Sequence, residues 1–145
     1  DWIETLPDGS FRDLLIAQPM LREIFERGRK VDLAFLSVGE ISYNCTMTRV
    51  GLVSRAEVDG LRAAGAVGDI CAHWIDVEGR LVDHSLNRRV VALSPERLHE
   101  IGCVVIASGG LAKAEGLRGV LKAGMCDVVI TDEKTAENIL AMETA

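Results

Sequence analysis

The chain has 145 residues, 48% of them hydrophobic and 26% charged, which suits one soluble domain with a true core. Lys and Arg number 16 against 22 Asp and Glu, and the net charge of -6 argues against a face that grips a nucleic-acid backbone. No apolar run approaches the roughly 18 residues of a membrane helix, and no basic segment followed by an apolar one opens the chain.

Aromatic residues make up only 4%, so Val, Leu, Ile and Ala must build the core. The chain opens on Asp1 in an extended-looking run to Pro7, and the expectation is a fragment of something longer. Pro19 suits the first turn of a helix, Leu21, Ile24 and Phe25 have helical spacing, and Gly28 suggests the end. Val31 to Ser37 reads as a buried strand closed by Gly39, followed by a polar loop over 39–51. Ser54 and Glu57 have capping-box spacing, with Val53 and Val58 placed to staple the end of a helix that runs to about Gly65.

Gly68-Asp69 opens a strand through Trp74 or Ile75, Asp76 to Gly79 reads as a turn, and Leu81-Val82 returns as a second strand. Arg89 to Leu93 is expected as another short strand. Ser94-Pro95 then starts a short helix to about Glu100. Cys103 to Ser108 is an apolar strand that stops at Gly109-Gly110. Ala112 to Ala123 follows as a helix, with Ala114, Leu117 and Leu121 on one face and Gly124 at its end. Cys126 to Ile130 is the last strand. Thr131 is expected to cap a last helix, with Asp132 and Glu133 in its first turn and Ala136, Ile139 and Leu140 packing it down. Strands alternate with helices, which predicts an α/β fold with a mostly parallel sheet flanked by helices.

In such a sheet the binding crevice lies beyond the carboxyl ends of the strands. Three places there carry polar residues: Gly39-Glu40, Gly68-Asp69, and Gly109-Gly110 with Lys113. Each has an ordinary structural reading: a strand exit, a turn aspartate, an exposed helix lysine. Each also has a functional one. Gly39 would let backbone approach a ligand, Asp69 would accept hydrogen bonds from sugar hydroxyls, and Lys113 would bring positive charge to a helix start that favours anions. Arg49 and Arg88 are further anion partners or plain surface arginines. Asn87 could hold a loop through backbone bonds, and Asp132 with Glu133 reads as helix-start chemistry. Neither a G-x-G-x-x-G nor a Walker loop is present, no G-x-S-x-G elbow is found, and no Cys sits in an electropositive motif. The cysteines Cys45, Cys71, Cys103 and Cys126 form no C-x-x-C pair and read as reduced thiols of a cytoplasmic protein, the last three buried. His73, His84 and His99 lack ligand spacing, so no metal and no cofactor are expected.

Taken in order, Gly65 to Ile70, Asp76 to Gly79, Asn87-Arg88, Ala107 to Lys113 and Val128 to Glu133 with Thr135-Ala136 resemble the effector-binding domain of SorC/DeoR-type bacterial transcription regulators. The resemblance covers about residues 30–140. It implies a Rossmann-like fold related to ribose-5-phosphate isomerase, glucosamine-6-phosphate deaminase and CoA transferases, here truncated at its N-terminus. It also implies one effector-binding domain fragment over 1–145 that binds a phosphorylated sugar and controls oligomerisation and DNA binding of the intact protein. The effector residues it implies are Asp69 and Lys113, with Arg49 near a further ligand-contacting position; the strand-end reading adds Gly39 and Gly110 to the effector-binding set, and no catalytic residues are expected. DNA would be bound through a separate N-terminal helix-turn-helix domain that this chain does not contain, in a homodimer or homotetramer away from any membrane. The strand exit Ser37 to Ser42 lacks the histidine of the related enzymes, which weighs against the alternative of a sugar-phosphate isomerase or deaminase. A purely structural oligomerisation domain is the third reading.

Overall fold

The computed structural model describes residues 9–144, so the extended run expected before Pro7 lies outside the described residues. Helix α1 (Gly9–Ile16) is followed at once by α2 (Pro19–Gly28), which starts on the expected proline. Strand β1 (Ala34–Leu36) is shorter than the expected Val31–Ser37, because the backbone turns at Ser37 and resumes as β2 (Val38–Gly39). The expected polar loop contains a helical turn, α3 (Thr46–Arg49). Helix α4 (Arg55–Ala63) begins on the capping box, with both the Ser54 and Glu57 bonds made. The stapling pair Val53 and Val58 is buried in one cluster.

The single strand expected from Gly68 to Ile75 is two strands. β3 (Gly68–Ile70) turns back on itself to become β4 (His73–Ile75), antiparallel to it. Cys71 and Ala72 make the turn at φ values of 51° and 60°, the backbone of a two-residue hairpin that usually recruits Asn or Gly. Asp76 to Gly79 forms the expected turn, and Leu81 adds one antiparallel bridge to Ile75.

No strand forms over Arg89–Leu93. A short helix α5 (Ser85–Arg89) ends there instead. The Asn87 amide takes the place of a neighbouring strand. Its oxygen accepts from the Trp74 N–H at 2.8 Å and its nitrogen donates to the Trp74 and Val82 carbonyls, both at 2.9 Å. A 3-10 helix (Pro95–Glu100) leads to β5 (Val104–Ala107), and a second 3-10 turn (Leu111–Lys113) opens α6 (Ala114–Lys122). Strand β6 (Val128–Ile130) and helix α7 (Glu133–Glu143) complete the described chain. Thr131 is not the cap of α7. Asp132 has the extended backbone of that position and accepts from the Thr135 N–H at 3.0 Å.

Strands β1, β5 and β6 form a parallel sheet in the order β1-β5-β6, with Ala34, Phe35 and Leu36 paired to Val104, Val105 and Ile106. Strands β2, β3 and β4 form a second, antiparallel sheet that the helix–strand alternation did not predict. One core joins the two sheets to α6 and α7. Val38, Ile70, Ile75, Leu98, Val104, Ile106, Leu117, Val120 and Ile139 are buried in it. A second core, around Val58, Leu61, Trp74 and Leu86, lies under α4 and α5. Close packing of α6 on β3 rests on two glycines. A Cβ on Gly116 would sit 2.9 Å from the Val38 Cγ1, and one on Gly68 would sit 3.0 Å from the Gly116 Cα. The other face of the parallel sheet, carrying Phe35, Val128 and Ile130, is exposed among the described residues.

Two helical expectations shift by one position. Leu121 is exposed and Val120 buried on α6, while Leu140 is exposed on α7, where Thr135 and Ile139 face inward. The four cysteines are free as expected, but Cys71, Cys103 and Cys126 are half-buried, not buried. We expect Leu117→Ala to destabilise the domain by roughly 2–5 kcal/mol. Leu121→Ala should cost under about 1 kcal/mol, as an exposed site does. Urea unfolding of both variants checks the assignment of faces, and equal losses would contradict it.

Candidate functional site

The carboxyl end of β1 and the start of β2 form one wall of a cavity of about 450 Å³, lined by Ser37, Val38, Gly39 and Glu40. Asp69 of β3 and Lys113 of the 3-10 turn after β5 face the same space. The far wall is the stretch Asn44 to Met47. The cavity therefore lies where strand ends of the parallel sheet meet the antiparallel one, as an open α/β sheet prescribes.

Backbone pairing brings Gly39 opposite Asp69. A Cβ on Gly39 would stand only 1.9 Å from the Asp69 Oδ1, so the missing side chain is what leaves room for the carboxylate. Burial raises the Asp69 carboxyl to about 6, although a backbone bond from Ala72 and the Lys113 charge pull the other way. Lys113 thus acts on Asp69 electrostatically across the cavity, with no ion pair between them. Ser108, buried at the end of β5, donates to the Val38 carbonyl at 3.1 Å and fixes the bend between β1 and β2.

The far wall is held by its own polar residues. Ser42 donates to the Glu40 Oε1 at 2.7 Å and accepts from the Asn44 N–H at 3.2 Å, and Thr48 donates to the Ser42 carbonyl at 3.1 Å. The guanidinium groups of Arg55 and Arg62 of α4 lie over the Tyr43 ring, 4.9 and 5.1 Å from its centre, and its hydroxyl donates to Asp59 at 2.5 Å. Arg62 also donates to the Ile41 carbonyl at 3.0 Å. These bonds attach the segment that bears Asn44, Cys45 and Thr46 to a capped helix.

Of the five residues singled out in the sequence, Asp69, Lys113 and Gly39 converge on the cavity. Arg49 does not line it and stands exposed at the end of α3. Gly110 does not line it either. Its N–H donates to the Asp132 Oδ2 at 2.8 Å and to the Thr135 Oγ1 at 2.9 Å, so it is not available to an anion. Glu40 was visible in the sequence beside Gly39. Asn44 and Thr46 stood only as part of the polar loop behind Gly39-Glu40, and Cys45 and Met47 were missed, because a polar loop signals nothing about which way it folds back. Among the described residues no group of His, Cys, Asp and Glu could hold a metal ion. No helix among them is long and apolar enough to cross a membrane.

A family model described as "Putative sugar-binding domain" matches residues 4–141. The chain belongs to this sugar-binding domain family. Its relatives are regulators of the SorC/DeoR type. The erythritol catabolism regulatory protein EryD of Brucella abortus is 29% identical over 129 residues, which cover 89% of this chain and 40% of EryD. The sorbitol operon regulator of Klebsiella pneumoniae is 24% identical over 140 residues, covering 97% of this chain and 44% of that one. Among solved structures, a DeoR family transcriptional regulator from Listeria monocytogenes superposes with a TM-score of 0.85 at 31% identity, over 91% of this chain and 53% of that one. The full-length sorbitol operon regulator SorC from Klebsiella pneumoniae shares the fold, with a TM-score of 0.80 at 22% identity, over 93% of this chain and 44% of its own. The chain spans about two fifths of the length of these curated relatives and about half of the solved chains.

The raised Asp69 carboxyl has a consequence for stability. A carboxyl that ionises at about 6 in the folded state and near 3.8 in the unfolded one binds its proton more tightly when folded. Its contribution is present below pH 4 and is lost as pH rises through 6, by at most about 3 kcal/mol. Asp132, held at about 2 by its bonds to Thr135 and Gly110, acts with the opposite sign and only below pH 4. The Asp69→Asn variant should therefore lose less stability than the parent between pH 4 and 6.5 in urea titrations. Parallel curves over that window would refute the assignment.

Proposed function

We propose that this domain is the ligand-sensing part of a bacterial transcription regulator and that its ligand is a phosphorylated sugar. The observation that carries the reading is the convergence of Asp69, Lys113 and Gly39 on one strand-end cavity, in a chain of the sugar-binding family. Carboxylates accept hydrogen bonds from sugar hydroxyls, and an ammonium donates to a carbonyl, hydroxyl or phosphate oxygen. Glu40, Asn44 and Thr46 add polar groups along the length of a small polyol.

The lining holds two carboxylates, Glu40 and Asp69, against one ammonium, Lys113. Such a wall favours the hydroxyl-bearing end of the ligand. The phosphate would be met by groups beyond this lining. Arg49, which the resemblance implied, and Gly110, which the strand-end reading added, do not line the cavity and are not given a binding role.

In the intact regulator, the effector would bind one oligomeric arrangement better than another and so shift DNA affinity through a separate DNA-binding domain. The regulator would work in the cytoplasm as a homodimer or homotetramer. The named relatives are regulators, which favours sensing over catalysis.

A thermal-shift panel tests the proposal with erythritol 4-phosphate, ribose 5-phosphate, glucose 6-phosphate, their unphosphorylated counterparts and inorganic phosphate. At a hundredfold excess over Kd, a ligand selective for the native state adds about 2.7 kcal/mol to stability. We expect at least one sugar phosphate to raise Tm, and Asp69→Ala and Lys113→Met to weaken its binding at least tenfold in calorimetry while leaving the far-UV spectrum unchanged. A panel with no stabilising compound favours a structural oligomerisation domain. Sustained turnover of a sugar phosphate favours an enzyme.

A further inference from the structure

The Gly109-Gly110 turn carries Lys113 to the cavity, yet by itself it has no side chain to hold it in place. Two consecutive glycines leave the backbone free to adopt many conformations. The turn's conformation decides where Lys113 stands, because the 3-10 turn that bears it closes with the Lys113 N–H donating to the Gly110 carbonyl at 2.9 Å. Gly110 has φ 103° and ψ 135°, a region that side-chain-bearing residues avoid, so some outside contact must select it.

That contact comes from the start of α7. The Gly110 N–H donates to both the Asp132 Oδ2 and the Thr135 Oγ1. The acceptors are themselves fixed. Thr135 is fully buried and its hydroxyl donates to the Asp132 Oδ2 at 2.7 Å. The other Asp132 oxygen takes the Thr135 N–H. A Cβ on Gly109 would fall 2.6 Å from the Asp132 Oδ2, so Gly109 must also lack a side chain for the carboxylate to come this close. Asp132 is not among the residues that line the cavity.

We propose that Asp132, together with Thr135, is a positioning residue of the effector cavity: its carboxylate holds the Gly109-Gly110 turn in the conformation that presents Lys113 to Asp69. This rests on reading that cavity as the effector site, but its test needs no effector.

The four lysines of the chain, at 30, 113, 122 and 134, can be converted to ¹³C-dimethyl-lysine and followed by NMR. The Lys113 signal is the one missing in Lys113→Arg. In the parent it should shift with a midpoint near pH 6 as Asp69 ionises, and that shift should vanish in Asp69→Asn. Asp132→Ser separates the two roles of Asp132, since serine caps a helix as well as aspartate does but offers one oxygen where two are used. We expect Asp132→Ser to keep a near-parental Tm and to lose at least half of the Lys113 shift. Asp132→Asn, whose amide oxygen can still accept from Gly110, should retain it. A full-amplitude shift in Asp132→Ser and Asp132→Ala, or no Asp69-linked shift in the parent, would overturn the proposal. A failed sugar-phosphate panel alongside the expected NMR result would overturn only the function assigned to the cavity.

Discussion

The cavity depends on one short pairing, that of Val38 and Gly39 with Ile70 and Asp69. It joins the parallel sheet to the antiparallel one at a single bend, and the Ser108 hydroxyl holds that bend from the end of the neighbouring strand. On one side of the pairing, Val38 and Ile70 enter the main core. On the other, Gly39 and Asp69 face the cavity. The two-residue period of a strand thus makes the same four residues serve packing and line the cavity. A slip of one position would bury the carboxylate in the core and expose two aliphatic side chains.

The charge pattern follows from that geometry. Asp69 is drawn away from water by the strands around it, and a carboxylate so placed tends to hold its proton. The charge of Lys113, which lines the same cavity, counters this. Asp132 sits at the other extreme, ionised throughout by hydrogen bonds to backbone and hydroxyl. One acid is shifted towards its protonated form where it lines the cavity, and the other is kept charged by the bonds it accepts at the start of the last helix.

Much of the fold was legible in the sequence because its signals are local. A capping box, a first-turn proline and a glycine after a periodic run each report on four or five neighbouring residues, and helices α2, α4 and α6 begin or end as those signals say. The strands were harder. The hairpin at Cys71-Ala72 uses two residues that carry no turn signature, so β3 and β4 read as one strand. The segment after Arg89 is rich in valine, but the Asn87 side chain already occupies the hydrogen bonds that a strand there would have used. Which strands pair, and in which direction, is decided by contacts between residues far apart in the chain.

The site was legible to a similar degree. Gly39 and Lys113 stood out because each follows a predicted strand, and Asp69 because it opens one across a helical crossover, in a class of fold where such ends converge. Gly110 stood out for the same reason and was misread. A glycine pair before a helix looks like a free anion-binding amide, but the amide faces a carboxylate and a hydroxyl that lie 22 and 25 positions further along. A carboxylate at that spot would repel a phosphate that approached the same N–H. The positive end of the junction is therefore the Lys113 side chain rather than the backbone. With Glu40 and Asp69 facing that single ammonium, this wall suits hydroxyl groups better than a dianion.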